Sequence, residues 1–523
     1  GGVLTAGAAD LTLIVDRNTL KVNLLAGGGT IDTNGFNATI TETIEGSGDL
    51  TKIGSGKLTI EGFHPWTGDT IINAGTLELN STGGGVNSVG GYASTTAAGE
   101  GNLFQINNGS TLVISGSTQI GFNGSTFEFD SNGGGTITVA ADNFVNRDTT
   151  YVTHGGAQNT IDTATGFRLF NLDGSDNTTT FDVATGDDPV GLLVSAVMTN
   201  PAPIRKIGTG VMSMTAVNTF TGGITVDAGT LRIDGTGRLA NNASNDLTIN
   251  SGGTVVFGHS GVFGNHLTAI LPEVTINAGG TLTNITGVHN RLGELDLNGG
   301  TLTSLGGNSD NNNVAWSLAG PVKVTGAQSV IDGTGHVALG SNEVVGTTFD
   351  IDSTADLTVN AVLINALANT WTELETAGLT KSGAGTMKLT GANTYTGGTS
   401  ITAGVLEVAD IKSGSASNLG SGSAGTGFIG IAGTGTLRYT GTASQSTDRH
   451  LWIDQASATA TIEIANAAGN LQFTSSDGTR DESLTKTGAG TLRIDGAFTG
   501  AGTITTDAGL LILTGNNSNT GAW

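Results

Sequence analysis

The chain has 523 residues and no cysteine. That removes a disulfide framework and any cysteine-bound zinc site. Proline is scarce, at 6 residues, which excludes a collagen or a proline-rich linker. Aromatic residues make up 5% of the chain and charged residues 12%, where an ordinary domain carries about 25% charged residues. Positive charge is the scarcest: 20 Lys and Arg stand against 44 Asp and Glu, for a net charge of −24. A phosphate-binding surface needs a basic stripe and none is visible, so nucleic acid is not an expected partner. No apolar run approaches the roughly 18 residues of a membrane-spanning helix. The chain opens Gly1-Gly2-Val3 without a methionine, which reads as a processed or excised start.

Glycine is what the chain has in excess, at 86 residues, more than twice the ordinary usage of about 7%. Glycine-rich polar composition is compatible with disorder. Against disorder stand 37% hydrophobic residues and a mean hydropathy of +0.05. The aliphatic residues also alternate with polar ones over short runs, the pattern of a strand with one buried face.

A repeat explains the alternation. The phrase LTKIGSGKLTIEG begins at Leu50, and related phrases begin at Ile204, Leu379 and Leu484. Each is followed by a second phrase of the type AGTLEL. Lys52 to Gly75, Lys206 to Gly229, Lys381 to Gly404 and Lys486 to Gly509 are all 23 residues. Inside the unit, Leu58/Ile60, Met212/Met214, Met387/Leu389 and Leu492/Ile494 alternate with polar neighbours. Nineteen residues on, Leu77/Leu79, Leu231/Ile233 and Leu406/Val408 do the same, and the fourth copy has Leu511/Leu513 with apolar Ile512 between them. A period of two buries one face of a strand. A constant spacing of 19 then reads as one turn of a solenoid, the second phrase stacked on the first. Glycine at the corners supplies positive φ. The expected fold is all-β, a right-handed parallel β-helix in which each coil is its own crossover connection. Weaker coils share the Asn-bearing formula around Asn250, Asn277 and Asn298. At roughly 21 residues per coil the chain makes about 25 coils, a rod on the order of 120 Å at ~4.8 Å per strand.

These residues resemble the autotransporter-associated β-strand repeat of bacterial surface-protein passengers. The third copy is the nearest match, with Asn393-Thr-Tyr395-Thr-Gly397-Gly398 between its two phrases. The first copy carries Pro65-Trp66 there, and the fourth has Phe498 two positions early. The full motif covers roughly a quarter of the chain. The resemblance implies a right-handed β-helix outside the cell and no single activity. It also implies a membrane β-barrel, but this chain has no strands of that kind and stops inside a repeat-like phrase. A longer parent chain or end-to-end self-association is therefore expected, because uncapped solenoid ends expose strand edges.

One continuous β-helix over 1–523 is expected, with loops at Ser81–Glu100, Asn146–Pro203 and Ile411–Gly427. Residues 146–203 read as the irregular, loop-bearing segment. Ala361–Glu375 is the one helix-compatible window.

Candidate chemistry is thin. β-Helix polysaccharide enzymes bring carboxylates together across neighbouring coils. The densest acidic cluster here is Asp173, Asp176, Asp182, Asp187 and Asp188, read mainly as solvated loop acids. Asp173 and Asp176 are the weak calcium candidates, and no other metal or cofactor is expected. Leu451-Trp-Ile-Asp454 is similar to a pectate-lyase phrase but has Gln455 where a histidine would stand, and a strand explains it. Lys52, Lys206, Lys381 and Lys486 read as corner lysines that bond carbonyls or discourage edge pairing. Trp66, Phe220 and Tyr395 share one repeat position and read as turn packing rather than sugar platforms. The expected function is a non-catalytic, extracellular or cell-surface structural or adhesive protein whose partners are surface glycans or ligands on host or neighbouring cells. The alternative is a calcium-dependent β-helix enzyme acting on acidic polysaccharide.

Overall fold

The structure, a computed structural model, describes residues 2–520 apart from 15–20, 63, 82–100, 117–119, 141–143, 164–165, 170–176, 265–270, 307–313, 327, 342–344, 367–375, 454–458, 476–482, 499–501, 516 and 519. Among the described residues there are strands and turns and no helix. Contacts divide the chain, read from sequence as one β-helix, into two compact units, Gly1–Gly264 and Asn265–Trp523.

In the first unit, short strands stack in parallel from coil to coil. One sheet runs from Gly2–Thr5 through Gly29–Asp32, Leu50–Ile53 and Thr70–Ile72 to Leu247–Ile249. A second sheet runs alongside it, from Leu11–Ile14 through Lys57–Glu61 and Thr76–Ser81 to Gly253–Phe257. The spacing of 19 residues has the expected cause. Leu58 pairs with Leu77 and Ile60 with Leu79, and Met212 pairs with Leu231 and Met214 with Ile233. All eight side chains are buried. Burying such a side chain contributes about 1.5–3 kcal/mol, and stacking makes each coil the floor of the next.

The segment 146–203 departs from the expected irregular stretch. It holds the strands Thr150–Thr153, Asn159–Thr163, Phe167–Leu169, Thr179–Val183 and Leu192–Val194, all in register with their neighbours. Two features hide them in the sequence. Coil length varies, with Thr126 paired to Thr150 but Thr150 to Thr180. The inward positions are also rings rather than Leu or Ile. Phe104, Phe127, Tyr151 and Phe181 form a buried ladder with centroids 5.0, 5.1 and 5.2 Å apart and planes within 21° of parallel. Phe122, Phe144 and Phe167 make a second ladder, on a third face of the coil.

The second unit repeats the plan. One sheet runs from Val274–Asn277 to Leu451–Ile453 and another from Thr281–Asn284 to Ile504–Thr506. Third faces are built by Asn290–Leu292, Val314–Leu318, His336–Ala338 and Val362–Ile364, and later by Ser444–Thr447, Asn470–Phe473, Thr491–Ile494 and Leu510–Leu513. The helix-compatible window thus begins in a strand, Val362–Ile364, and its part from 367 to 375 lies outside the described residues. The expected loop at 411–427 is described and held in place: Asn418 accepts from the Ala409 and Asp410 N–H groups at 2.9 Å each. The expected loop at Ser81–Glu100 starts on the last residue of the strand Thr76–Ser81, and its remainder, 82–100, lies outside the described residues.

The fourth repeat copy is stepped round the coil. The lysine strand of the third copy, Leu379–Ser382, lies in the first sheet, on Thr347–Ile351. That of the fourth, Ser483–Thr487, lies in the second sheet, on Thr459–Ile464. Its second strand, Thr491–Ile494, then falls on the third face. The unit is a self-contained corner that works between either pair of faces.

Candidate functional site

The repeated lysine makes that corner. Lys52 lies inward in its strand, paired with Ile31 on the coil before and Ile72 on the coil after. Phe181 and Val226 flank Lys206, Phe349 and Ile401 flank Lys381, and Ile462 and Thr506 flank Lys486. The stems of Lys52, Lys206 and Lys381 therefore sit between core side chains, that of Lys486 lies against buried Ile462 on one side, and all four lysines are buried. The ammonium emerges at the turn. There Lys52 Nζ donates to the carbonyls of Ile53 at 3.0 Å, Gly54 at 2.7 Å and Ala74 at 2.8 Å. Lys206 Nζ reaches Ile207, Gly208 and Ala228 at 2.8, 2.7 and 3.0 Å. Lys381 Nζ reaches Ser382, Gly383 and Ala403 at 2.7, 2.7 and 3.1 Å. Lys486 Nζ reaches Thr487, Gly488 and Ala508 at 2.6, 2.7 and 3.0 Å. Three N–H donors meet three carbonyls drawn from two successive coils. The fixed interval of 23 residues to the next glycine follows, since the third acceptor is the residue before that glycine.

Those glycines have backbone reasons to be glycine. Gly75, Gly229, Gly404 and Gly509 adopt φ of 68°, 64°, 65° and 72°. A Cβ on Gly229 would lie 2.5 Å from the carbonyl oxygens of both Gly208 and Gly210, so the corner closes only without a side chain.

Each ammonium also has an acid on the preceding coil. Asp32, Asp182, Asp350 and Glu463 pair in register with the residue after the lysine, namely Ile53, Ile207, Ser382 and Thr487. Burial lowers Lys52, Lys206 and Lys381 to about 8, and the acid pulls each back upward. Lys486 is lowered for the same reason, with Glu463 opposing. With its donors spent inside the fold, this lysine is a structural tie. No signal in the sequence marked the partnering acids.

Between the two phrases lies a buried pin. Asn218 accepts from the Met198 N–H at 2.9 Å and donates to the Ala216 carbonyl at 3.0 Å. Asn393 accepts from the Leu363 N–H at 2.7 Å and donates to the Asn418 carbonyl at 2.6 Å. In the first copy His64 stands in the same place. Its Nδ1 accepts from the Ile44 N–H at 3.0 Å, and its Nε2 lies 2.9 Å from the Glu61 carbonyl. That pairing assigns the neutral tautomer with the proton on Nε2. Burial lowers the His64 pKa, and the Glu61 carbonyl opposes that. The rings two residues on, Trp66, Phe220 and Tyr395, are buried, as is Phe498 in the fourth copy. They pack the turn and offer no face to a sugar.

Asp173 and Asp176 lie outside the described residues. Asp182 sits in the strand Thr179–Val183 opposite Ile207, and Asp188 accepts from the Val190 N–H at 2.9 Å within its own turn. Among the described residues no group of three or more His, Asp or Glu is placed to hold a metal. Two features were not foreseen. Arg449 is buried, and it donates to the carbonyls of Lys412 at 3.1 and 3.2 Å and Gly420 at 2.9 Å, clasping the 411–427 loop. Trp452 lies 60% exposed between buried Leu451 and Ile453, and meets Phe428 edge-on with centroids 5.9 Å apart. Arg449 has no periodic signal, whereas the outward position of Trp452 follows from the alternation in Leu451-Trp-Ile.

Comparison with known proteins meets the same corners. Residues 50–79, 204–233, 379–408 and 484–506 match the passenger-associated-transport-repeat family. Over 471 residues the chain is 27% identical to the adhesin BmaC autotransporter of Brucella suis biovar 1 (strain 1330). The match covers 80% of this chain, and the chain spans 11% of that relative. No solved structure matches. The repeat and the relative imply a bacterial cell-surface or extracellular location. Four stretches of the chain thus match the passenger-associated-transport-repeat model, and each holds one of the buried lysines Lys52, Lys206, Lys381 and Lys486.

Proposed function

We propose that the chain is an adhesive stretch of a bacterial surface passenger: a right-handed parallel β-helix of about 25 coils, at roughly 4.8 Å per coil, that works without catalysis and without a bound cofactor. The observation that carries this reading is the use of the repeated residues. Lys52, Lys206, Lys381 and Lys486 direct their ammonium donors into backbone carbonyls, so the repeat builds a wall. Outward side chains, which differ from coil to coil, are then free to vary and to meet surface glycans or ligands on other cells. Similarity to an adhesin along 80% of the chain supports this, and the adhesive activity of that far longer relative carries over here as part of the proposal.

Display of the chain on a non-adherent bacterium is the test. Attachment to host or neighbouring cells rises if the reading holds and stays at background if it fails. Incubation with uronate polymers releases no unsaturated products, and calcium or a chelator leaves the unfolding midpoint unchanged. Unsaturated products lost on mutating Asp173 or Asp176 would replace the adhesive reading with an enzymatic one.

A further inference from the structure

On the outer face of the first sheet in the second unit, one line of positions runs across five strands. Thr348 pairs with Thr380, Thr380 with Ser400, Ser400 with Gly430, and Gly430 with Trp452. The line begins in hydroxyls and ends in an indole. Trp452 is 60% exposed and Phe428 37%. The two rings meet at 70°.

This aromatic pair is seated rather than incidental. A Cβ on Gly398 would run into the Phe428 ring, and one on Gly430 would touch it at 3.4 Å, an ordinary contact. Gly398, just before the strand Thr399–Ile401, therefore clears the floor on which Phe428 lies, and Gly430 in the next strand borders it. The Phe428 carbonyl accepts from the Thr399 N–H at 2.9 Å, fixing its backbone to the next strand. Beside the ring opens a groove of about 510 Å³, lined by Thr347, Thr348, Thr380, Ser400 and Phe428 among others. That volume is in the range of ligand sites. Its lining holds hydroxyls, glycines and aliphatic groups and no ionisable side chain.

We propose that this groove and the Trp452–Phe428 platform bind an uncharged oligosaccharide chain laid across the strands. The chemistry selects that class. Hydroxyls spaced one strand apart, about 4.8 Å, present donors and acceptors at close to the length of one sugar ring. The exposed rings offer an apolar surface for a pyranose face. The absence of any cation in the lining gives a uronate or sulfated chain no counter-charge, on a protein whose net charge is already −24. A protein partner of this area would need a larger apolar core than two rings. The proposal rests on the adhesive reading and deepens it by naming the ligand class.

Titration of the full chain with hexamers of β-1,4-glucose, α-1,4-glucose and β-1,4-N-acetylglucosamine, and with a hexuronate, is the test. At least one neutral hexamer binds, the hexuronate does not, and Trp452→Ala weakens binding about tenfold or more while leaving the unfolding midpoint in place. Phe428→Ala, which removes the other ring, weakens it as well. Absence of binding by every neutral hexamer at about 10 mM, or equal binding by Trp452→Ala, overturns the proposal. So does a Trp452-dependent dimer in sedimentation velocity, which would make the platform a contact between copies. Cell attachment of the displayed chain that persists in Trp452→Ala, with no hexamer bound, refutes this site and leaves the adhesive reading standing.

Discussion

The Tyr395 hydroxyl and the Thr399 hydroxyl lie 2.8 Å apart, both buried, four residues from each other in the third repeat copy. The first copy builds the same pair from Trp66, whose indole N–H donates to Thr70 Oγ1 at 3.3 Å. In the second copy the ring is Phe220, with no polar atom, and the residue four on is Ile224. Ring and partner change together because a buried hydroxyl without a partner costs about 1–3 kcal/mol. Tyr395→Phe should therefore destabilise the chain by about that amount. Tyr395→Phe combined with Thr399→Ile, which recreates the second copy, should recover most of it. A double-mutant cycle in chemical denaturation reads the coupling, and additive losses would show that the two hydroxyls act independently.

Lys206→Met keeps the stem between Phe181 and Val226 and deletes the ammonium. The carbonyls of Ile207, Gly208 and Ala228 then lose their shared donor at a closed corner. A loss of at least about 2 kcal/mol is expected. Lys57→Met is the control. It removes the half-exposed ion pair between Lys57 and Glu78 at 2.7 Å, and such pairs contribute about 1 kcal/mol or less. Urea unfolding of the two variants should separate them clearly.

How much of this was legible beforehand follows from which residues repeat. The stacking of Leu58 on Leu77 was readable because hydrophobic spacing and coil geometry obey one period. The importance of Lys52 and Gly75 was readable for the same reason. Burial of the lysines was not, since a lysine in a turn reads as exposed until both flanking coils are in place. The aromatic coils around Tyr151 and Phe181 escaped notice because their lengths vary and a ladder of rings has no fixed sequence interval. Arg449 clasps a loop through carbonyls, and carbonyls belong to every residue, so no side-chain pattern announces it.

Alkaline titration should act on the corners. Lys52, Lys206 and Lys381 lose a proton near 8 in the folded chain, against 10.5 for a free lysine. Between those values the unfolded state binds more protons than the folded one, so stability rises as pH rises through the window. The denaturation midpoint should increase from pH 8 to pH 10, and less so in a variant carrying methionine at all three positions. A decrease would mean that the carbonyls and the neighbouring acids hold the proton more strongly than burial removes it.

Glycine substitutions separate strain from collision. Gly235 has φ of 61°, and a Cβ there would meet only Thr215 carbons at 3.7 and 3.8 Å. Gly235→Ala should cost about 1–2 kcal/mol from the left-handed backbone alone. Gly229 has nearly the same φ, but its Cβ would strike two carbonyl oxygens of the coil below. Gly229→Ala should cost clearly more, because that coil must shift. Thermal unfolding of the pair measures the difference, and equal losses would mean that the corner has slack.

His64 supplies an acid-side test. Its Nδ1 accepts the Ile44 N–H, so a proton on Nδ1 would point two donors at each other. Burial holds the folded pKa below the ordinary 6.5. The unfolded state therefore takes up a proton first as pH falls below about 6.5. The stability that neutral His64 contributes is present above that value and is lost on descent toward the folded pKa. His64→Asn installs the residue that the second and third copies use, with an amide oxygen to accept and an amide nitrogen to donate at any of these pH values. The wild-type chain should lose stability relative to His64→Asn between pH 7 and pH 5, while the two stay close at pH 8. Parallel pH profiles over that range would mean that the Ile44 N–H finds another acceptor when the imidazole is charged.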